Sequence, residues 1–263
     1  MSKTSWPAAP GSFRERVSGG AVCAGTFVKT PTGHATEILG DLGYDFVVAD
    51  AEHAPLDRTA LDNIMQAAGR DRIPVLVRVP SGNTWHLLSV LDCGAAGVVV
   101  PHVMNAKQAE EIALSCRYRG GRRGFSAGTR AGRFGGEARW DLVDRADAET
   151  LVMAQIEDPE AVDNVEEIAA VDGVDALFIG RGDLTVAYGA PSNDADVIEE
   201  ASRRIADAAK KHGKAVAVFA ASIAEVEKLR KIGASIIVYS ADQSFLRAGA
   251  RKALEDIRAL DGA

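Results

Sequence analysis

The 263-residue chain carries 37 acidic against 30 basic side chains, a formal net charge of -7, and so lacks the basic surplus that a nucleic-acid or anionic-membrane partner requires. Apolar residues make up 47% and aromatics 6%, which suits a Val/Ile/Leu/Ala core of parallel strands covered by helices. Cys23, Cys93 and Cys116 show no metal or disulfide spacing and are expected as buried small hydrophobes of a cytoplasmic protein, and no apolar run approaches the roughly 18 to 20 residues that span a bilayer.

The opening "MSKTSWPAAPGS" has no apolar stretch of signal-peptide length. Residues 1-14 are expected as a flexible lead-in to one domain over 15-263. Eight Val/Ile-rich runs follow: "AVCAGTFVK" from 21, "DFVVADAE" from 45, "PVLVRVP" from 74, "GVVVPHV" from 97, "TLVMAQIE" from 150, "DALFIGR" from 175, "KAVAVFAA" from 214 and "SIIVYSAD" from 235. Their apolarity is continuous rather than alternating, the pattern of strands covered on both faces of a parallel sheet.

Helical patterns fill the intervals. Asp57, Asn105 and Ser222 stand at the starts of three of them, as N-caps do. In "DPEAVDNVEEIAA" Asp158 is the expected cap and Pro159 the first helical residue, with Val162, Val165, Ile168 and Ala169 on one face. Glycines in "LGYDF", "CGAAGVVV", "VDGVDALF" and "IGASIIV" mark four helix ends that turn into the next strand. Eight strands alternating with helices predict an α/β fold, a single-domain (β/α)8 TIM barrel. A doubly wound open sheet would carry a phosphate loop after its first strand, and "TFVKTPTGHATE" has none.

One stretch is irregular, "YRGGRRGFSAGTRAGRFGGEARW" at 118-140. It reads as either a solvated mobile loop or a functional one, in which some of Arg119, Arg122, Arg123, Arg130 and Arg133 meet an anionic substrate or a neighbouring subunit.

In such a barrel, catalytic groups gather at the carboxyl ends of the strands. Those positions hold Lys29, then Asp50, Glu52 and His53, then Arg78, His102, Gln155 with Glu157, and Arg181 with Asp183. Glu157 and Asp183 lie on successive βα units, and two close carboxylates repel unless one keeps a proton or a cation lies between them. Few protein oxygens plus waters suit Mg²⁺ or Mn²⁺ better than zinc. The plainer alternative is that Glu157 begins a helix and Asp183 caps the next. Arg78, inside a buried run, either pairs with Asp50 or Glu52 or offers its guanidinium to an oxyanion.

Asp50, three residues before His53, is placed to orient an imidazole that acts as a base. His102 ranks behind it, near the same mouth, and His34, His86 and His212 read as loop or helix-start hydrogen-bonders. Gly180 and Gly182 permit close approach of the backbone to a ligand.

Taken together, "DFVVADAEHAPLD", "PVLVRVP", "VVVPHVMNAKQAEE", "RRGFSAGTRAGRFG", "LVMAQIEDPEAVDNVEEIAAVDGVDALFIGRGDLTVAYG" and "GKAVAVFAAS" resemble the HpcH/HpaI family of metal-dependent pyruvate aldolases. That family includes 4-hydroxy-2-oxoheptanedioate aldolase and 2-dehydro-3-deoxyglucarate aldolase. The resemblance implies a phosphoenolpyruvate/pyruvate-type barrel with Mg²⁺, Mn²⁺ or Co²⁺ in its mouth. It also implies a homo-oligomer, a hexamer arranged as a trimer of dimers that exchange their last helix. Carried over by position, Glu157 and Asp183 are the metal ligands, Gln155 their neighbour, and Arg78 the contact to the pyruvate keto oxygen. His53, supported by Asp50, is the acid/base residue, and the amides around Gly182 and Asp183 hold the pyruvate carboxylate. The implied reaction is reversible cleavage of 4-hydroxy-2-oxo acids to pyruvate and an aldehyde through a metal-stabilised enolate.

Some residues depart from the family pattern. "GRGDLT" stands for the usual "GPADLS", placing Arg181 where a Pro is common, "DAEH" replaces "DGEH", and Phe27 takes a position some members fill with Trp. Arg181 and the 118-140 loop are expected to favour an acidic aldehyde. The competing activities are an acyl-CoA lyase or oxaloacetate decarboxylase on the same barrel, a Schiff-base aldolase using Lys29, and a non-catalytic metabolite-binding barrel.

Overall fold

The computed structural model describes residues 12-260, apart from the side chains of 70-72. Eight parallel strands close into a barrel in sequence order: β1 (Cys23–Val28), β2 (Phe46–Asp50), β3 (Val75–Arg78), β4 (Gly97–Val100), β5 (Leu151–Ile156), β6 (Ala176–Ile179), β7 (Ala215–Ala220) and β8 (Ile236–Ala241). Each expected run supplies one strand. Asp57, Asn105 and Ser222 cap their helices by accepting from the amides of Ala60, Gln108 and Glu225, and Gly43, Gly94, Gly173 and Gly233 all take positive φ at helix ends.

Alternating side chains divide the strands into two layers. Phe46, Val48, Leu76, Val99, Met153 and Phe178 fill the barrel interior. Val47, Val77, Val98, Val152 and Leu177 pack outward beneath helix residues such as Ile64, Leu87, Ile112 and Ile205. Truncating a fully buried member such as Leu76 to Ala costs about 2–5 kcal/mol. Gly25 belongs to the inner layer, where an added Cβ would come within 2.5 Å of the Phe46 ring. Followed to the carboxyl ends, the inward parity of β2, β3 and β5 falls on Asp50, Arg78, Gln155 and Glu157. One alternation rule therefore builds the core and delivers polar groups to the mouth.

At the opposite end Ser12 caps the helix Phe13–Ser18 with a capping box, and Phe13 and Val17 are buried, Phe13 against Phe46. Residues 1-11 of the expected lead-in lie outside the described residues.

Two local expectations are corrected. Asp158 takes the cap position ahead of Pro159, yet its side chain makes no capping bond and turns to His102 instead. The stretch expected as one helix is two, Pro159–Asp163 and Val165–Ala169, because Asn164 leaves helical dihedrals and donates from Nδ2 to the Met104 carbonyl at 2.9 Å. Val162, Val165, Ile168 and Ala169 are nonetheless all buried.

The 118-140 segment follows the helix Ala106–Ser115 and leads into the helix Arg139–Glu149, on the side of the barrel where strands begin. The Tyr118 and Arg119 amides donate to Asp147 at 2.7 and 2.8 Å. The last helix, Asp242–Leu260, has no buried residue and exposes Leu246, Leu254, Ile257 and Leu260. Its first residue, Asp242, accepts from the amides of Lys29 and Thr30, both at 3.0 Å, across the closure between β8 and β1.

Among the described residues no helix is long and apolar enough to cross a membrane. Cys23, Cys93 and Cys116 are buried and unpaired, and burial pushes the Cys116 thiol up to about 12.

Candidate active site

Asp50 and Arg78 are register partners on β2 and β3, so their inward side chains lie side by side. Arg78 Nε donates to Asp50 Oδ1 at 2.9 Å and Nη2 to Oδ2 at 2.8 Å. Lys29 Nζ stands 3.0 Å from the same Oδ2. Glu52 Oε2 lies 3.3 Å from Arg78 Nε, and the Phe27 ring faces the guanidinium at 4.6 Å. Burial raises the Asp50 pKa, but the hydrogen bonds and charge of Arg78, with Lys29, outweigh it and hold the carboxyl below its ordinary range. Of the two readings of Arg78, the ion pair is formed, and it uses Nε and Nη2 rather than Nη1.

The expected Asp50–His53 pair is not formed between side chains. Asp50 Oδ1 accepts the main-chain N–H of His53 at 3.2 Å, tightening the turn after β2. The His53 ring is 55% exposed, and its Nε2 lies 3.6 Å from Glu52 Oε2. Asp50 is committed to the two cations, which leaves Glu52 as the carboxylate beside His53.

Glu157 is buried at the end of β5. Its Oε1 accepts from the His102 amide at 2.9 Å and its Oε2 from Gln155 Nε2, while Gln155 Oε1 is buried without a hydrogen-bond partner. Burial raises the Glu157 pKa above its ordinary value; the Gln155 bond and the His102 amide and charge work against this, and the neighbouring charge of Asp183 adds to it. Gly180 makes the arrangement possible, since a Cβ there would collide with Glu157 Cβ and stand 2.8 Å from Oε2. The glycine accommodates a protein carboxylate rather than a ligand. A Cβ on Gly182 would meet nothing within 4 Å.

Asp183, in the first turn of the helix Arg181–Ala187, is exposed and makes no capping bond. Among the described residues no third His, Cys, Asp or Glu joins Glu157 and Asp183 in a cluster able to hold a metal ion. Two carboxylates, one of them buried beside an unpartnered amide oxygen, fit a hard divalent cation completed by water or substrate oxygens.

A carboxylate–imidazole pair does exist in the mouth, between Asp158 and His102. His102 Nδ1 is 2.9 Å from Asp158 Oδ2 and 3.6 Å from Glu157 Oε1. Burial lowers its pKa, but Asp158, Glu157 and Glu52 together raise it above the ordinary value. His102 has φ of +53°, a left-handed conformation that costs a non-glycine residue roughly 1–3 kcal/mol and aims its N–H at Glu157. The contact between His102 and Asp158 has no signal in the sequence, because an Asp before Pro reads first as a helix cap.

Arg181 does not face the mouth as expected. It is buried, with Nη1 3.3 Å from Glu225 Oε1 and Nη2 donating to the Asn193 carbonyl at 2.9 Å and lying 3.3 Å from Asp194 Oδ1. Four of the five loop arginines named above are likewise paired within the subunit. Arg119 pairs with Asp144, Arg123 with Asp92, Arg130 with Asp62 and Arg133 with Glu137. For Arg181 and these four the expectation that they select an acidic aldehyde is corrected, since their charges are matched by carboxylates of the scaffold. His34, His86 and His212 bond Thr32, Ser81 and Glu166, as read from the sequence.

Residues 24–248 match the family model described as HpcH/HpaI aldolase/citrate lyase. The chain is 33% identical over 249 residues to a hydroxypyruvate/pyruvate aldolase of Roseobacter denitrificans, covering 91% of this chain and 94% of that one. It is 31% identical over 251 residues to a 5-keto-4-deoxy-D-glucarate aldolase of an Enterobacter species, covering 95% and 97%. Among solved structures, an HpcH/HpaI aldolase/citrate lyase family protein from Burkholderia cenocepacia superposes with a TM-score of 0.87 at 32% identity, covering 93% of this chain and 98% of that one.

Proposed function

The chain belongs to the HpcH/HpaI aldolase/citrate lyase family, and from that premise we propose that it is a divalent-metal-dependent aldolase that reversibly cleaves 4-hydroxy-2-oxo acids to pyruvate and an aldehyde. One observation carries the metal: the buried Glu157 carboxylate has the charge of Asp183 against it and the unpartnered Gln155 Oε1 beside it. Glu157 and Asp183 hold Mg²⁺, Mn²⁺ or Co²⁺, with Gln155 orienting Glu157. When bound, the cation supplies Lewis acidity at the pyruvate keto oxygen.

The remaining work falls to the chain's own groups. Arg78, immobilised by Asp50 and Glu52 through Nε and Nη2, offers Nη1 as a donor for the keto oxygen that gains charge as the C3–C4 bond breaks and the C4 hydroxyl gives up its proton. The amides of Gly182 and Asp183, at the start of a helix where main-chain donors lack intrahelical partners, hold the pyruvate carboxylate. His53, exposed beside Glu52, moves the proton to or from the aldehyde-derived hydroxyl through water. Lys29 is committed to Asp50, which disfavours a Schiff base, for which a free amine must reach the substrate carbonyl.

The test is C3 exchange of pyruvate in deuterated water. Exchange is expected with metal-loaded protein, is lost with EDTA, and returns with Mn²⁺ or Mg²⁺; absence of metal-dependent exchange would falsify the reading.

The unburied helix Asp242–Leu260 supports a homo-oligomer, a trimer of dimers in which that helix packs on a neighbour. Sedimentation should then show smaller species for the Leu254→Asp, Ile257→Asp double variant, and an unchanged assembly would remove this part.

A further inference from the structure

The Asp158–His102 pair has no task in the chemistry above, although it lies in the mouth. His102 Nδ1 is 3.6 Å from an oxygen of the proposed metal ligand Glu157, so the imidazole borders the space where pyruvate meets its aldehyde. Asp158 occupies Nδ1 at 2.9 Å and thereby fixes the ring. Nε2 is the polar atom that remains, on a side chain 57% exposed.

Apart from His53, which serves the reacting oxygen of the aldehyde, the other strand-end cations leave little polar recognition for the acceptor. Lys29 and Arg78 are matched by Asp50 and Glu52. On the β1 and β7 side the wall is aromatic, Phe27 against Phe219 at 6.0 Å between centroids. A molecule seated between these walls meets apolar rings on one side and a fixed imidazole edge on the other.

The backbone supports the same assignment. The φ of +53° at His102 is a strained conformation that Gly or Asn adopts more readily, so a histidine there combines a main-chain bond to Glu157 with a side-chain bond to Asp158. Such strain clusters where a group must be held in place for a ligand.

We propose that His102, oriented by Asp158, hydrogen-bonds a hydroxyl on the acceptor carbon adjacent to the aldehyde, so that the enzyme selects 2-hydroxyaldehydes over their deoxy counterparts. A hydroxyl both donates and accepts, so the contact forms whichever hydrogen-bonding role Nε2 takes. His102 is then a specificity residue and Asp158 its positioning residue. The inference rests on the aldolase reading.

The experiment uses the full chain loaded with Mn²⁺ and saturated with pyruvate. The kcat/KM for glycolaldehyde is divided by that for acetaldehyde in the wild type, His102→Asn and Asp158→Asn. Asn tolerates the left-handed backbone, keeps the amide that serves Glu157, and is too short to fill the place of the imidazole edge. Because the ratio is taken within each variant, any general loss of enolisation cancels. The wild type should prefer glycolaldehyde; His102→Asn should lose about five- to tenfold of that preference, the effect of one hydrogen bond, and Asp158→Asn a smaller part. A ratio unchanged in both variants, or a wild type that prefers acetaldehyde, overturns the proposal. Wild-type protein without metal-dependent C3 exchange overturns the aldolase reading itself, and the two failures are thus told apart.

Discussion

Arg78 Nε and Nη2 meet the two oxygens of Asp50 at 2.9 and 2.8 Å, from register positions that face each other on β3 and β2. The pair is buried, and removing one charge of a buried pair is more damaging than losing an exposed one. Asp50→Asn keeps the shape and leaves Arg78 and Lys29 against a neutral amide. The expected loss is about 3 kcal/mol, or roughly 6–12 °C in Tm for a chain of this size, measured by thermal unfolding. Since the folded pKa of Asp50 is lowered, its contribution is present above the ordinary carboxylate range and disappears as pH falls through the folded value. The stability gap between wild type and variant should therefore be wide at neutral pH and close in strong acid.

Gly180 and Gly182 are separated by one residue and should respond differently. An added Cβ at 180 runs into Glu157, whereas one at 182 meets no protein atom. Gly180→Ala should weaken Mn²⁺ binding at least about tenfold, the order of loss seen when support around a metal ligand is disturbed, as read by direct titration. Gly182→Ala should unfold at the wild-type temperature and instead raise the KM for pyruvate.

Glu157 makes the metal-free protein pH-sensitive. Its folded pKa is raised, chiefly by burial, so the ionised group destabilises the fold. The cost is absent below the unfolded pKa, grows as pH rises toward the folded value, and is complete above it. Glu157→Gln should accordingly raise the Tm of metal-free protein at pH values above the folded pKa, with no gain at pH 4. The same variant should lose the stabilisation that Mn²⁺ gives the wild type.

Arg181 ties the turn carrying Asp183 to Glu225 and to the 193-194 segment. Arg181→Ala should lower stability by about 1–3 kcal/mol through unmet acceptors and recover only in part as Lys, which lacks the guanidinium fork. The ratio of kcat/KM for acidic over neutral aldehydes should not move. A selective loss for acidic substrates would restore the role that the sequence suggested.

The barrel was legible because its evidence repeats. Eight continuous apolar runs and four glycine-ended helices each point to the same alternation, and errors at one element do not spread. Glu157, Asp183 and Arg78 were legible as strand-end polar groups among apolar residues. The partners of those groups were not. Whether Asp50 serves His53 or Arg78 depends on strand register, since a guanidinium 28 residues away outcompetes an imidazole three residues away. Likewise the reach of Asp158 to His102 depends on a positive φ that His does not advertise, and the outward turn of Arg181 depends on Glu225 and Asp194, which arrive later in the chain.

Asp242 accepts the amides of Lys29 and Thr30 from 213 and 212 residues further along the chain. The turn that presents Lys29 to Asp50 is thus secured by the residue that follows the final strand. During synthesis, β1 leaves the ribosome first but can find this partner only after β8 has been made. The two halves of the mouth are then joined last, and a nascent chain that has not yet reached Asp242 lacks the acceptor for the Lys29 and Thr30 amides.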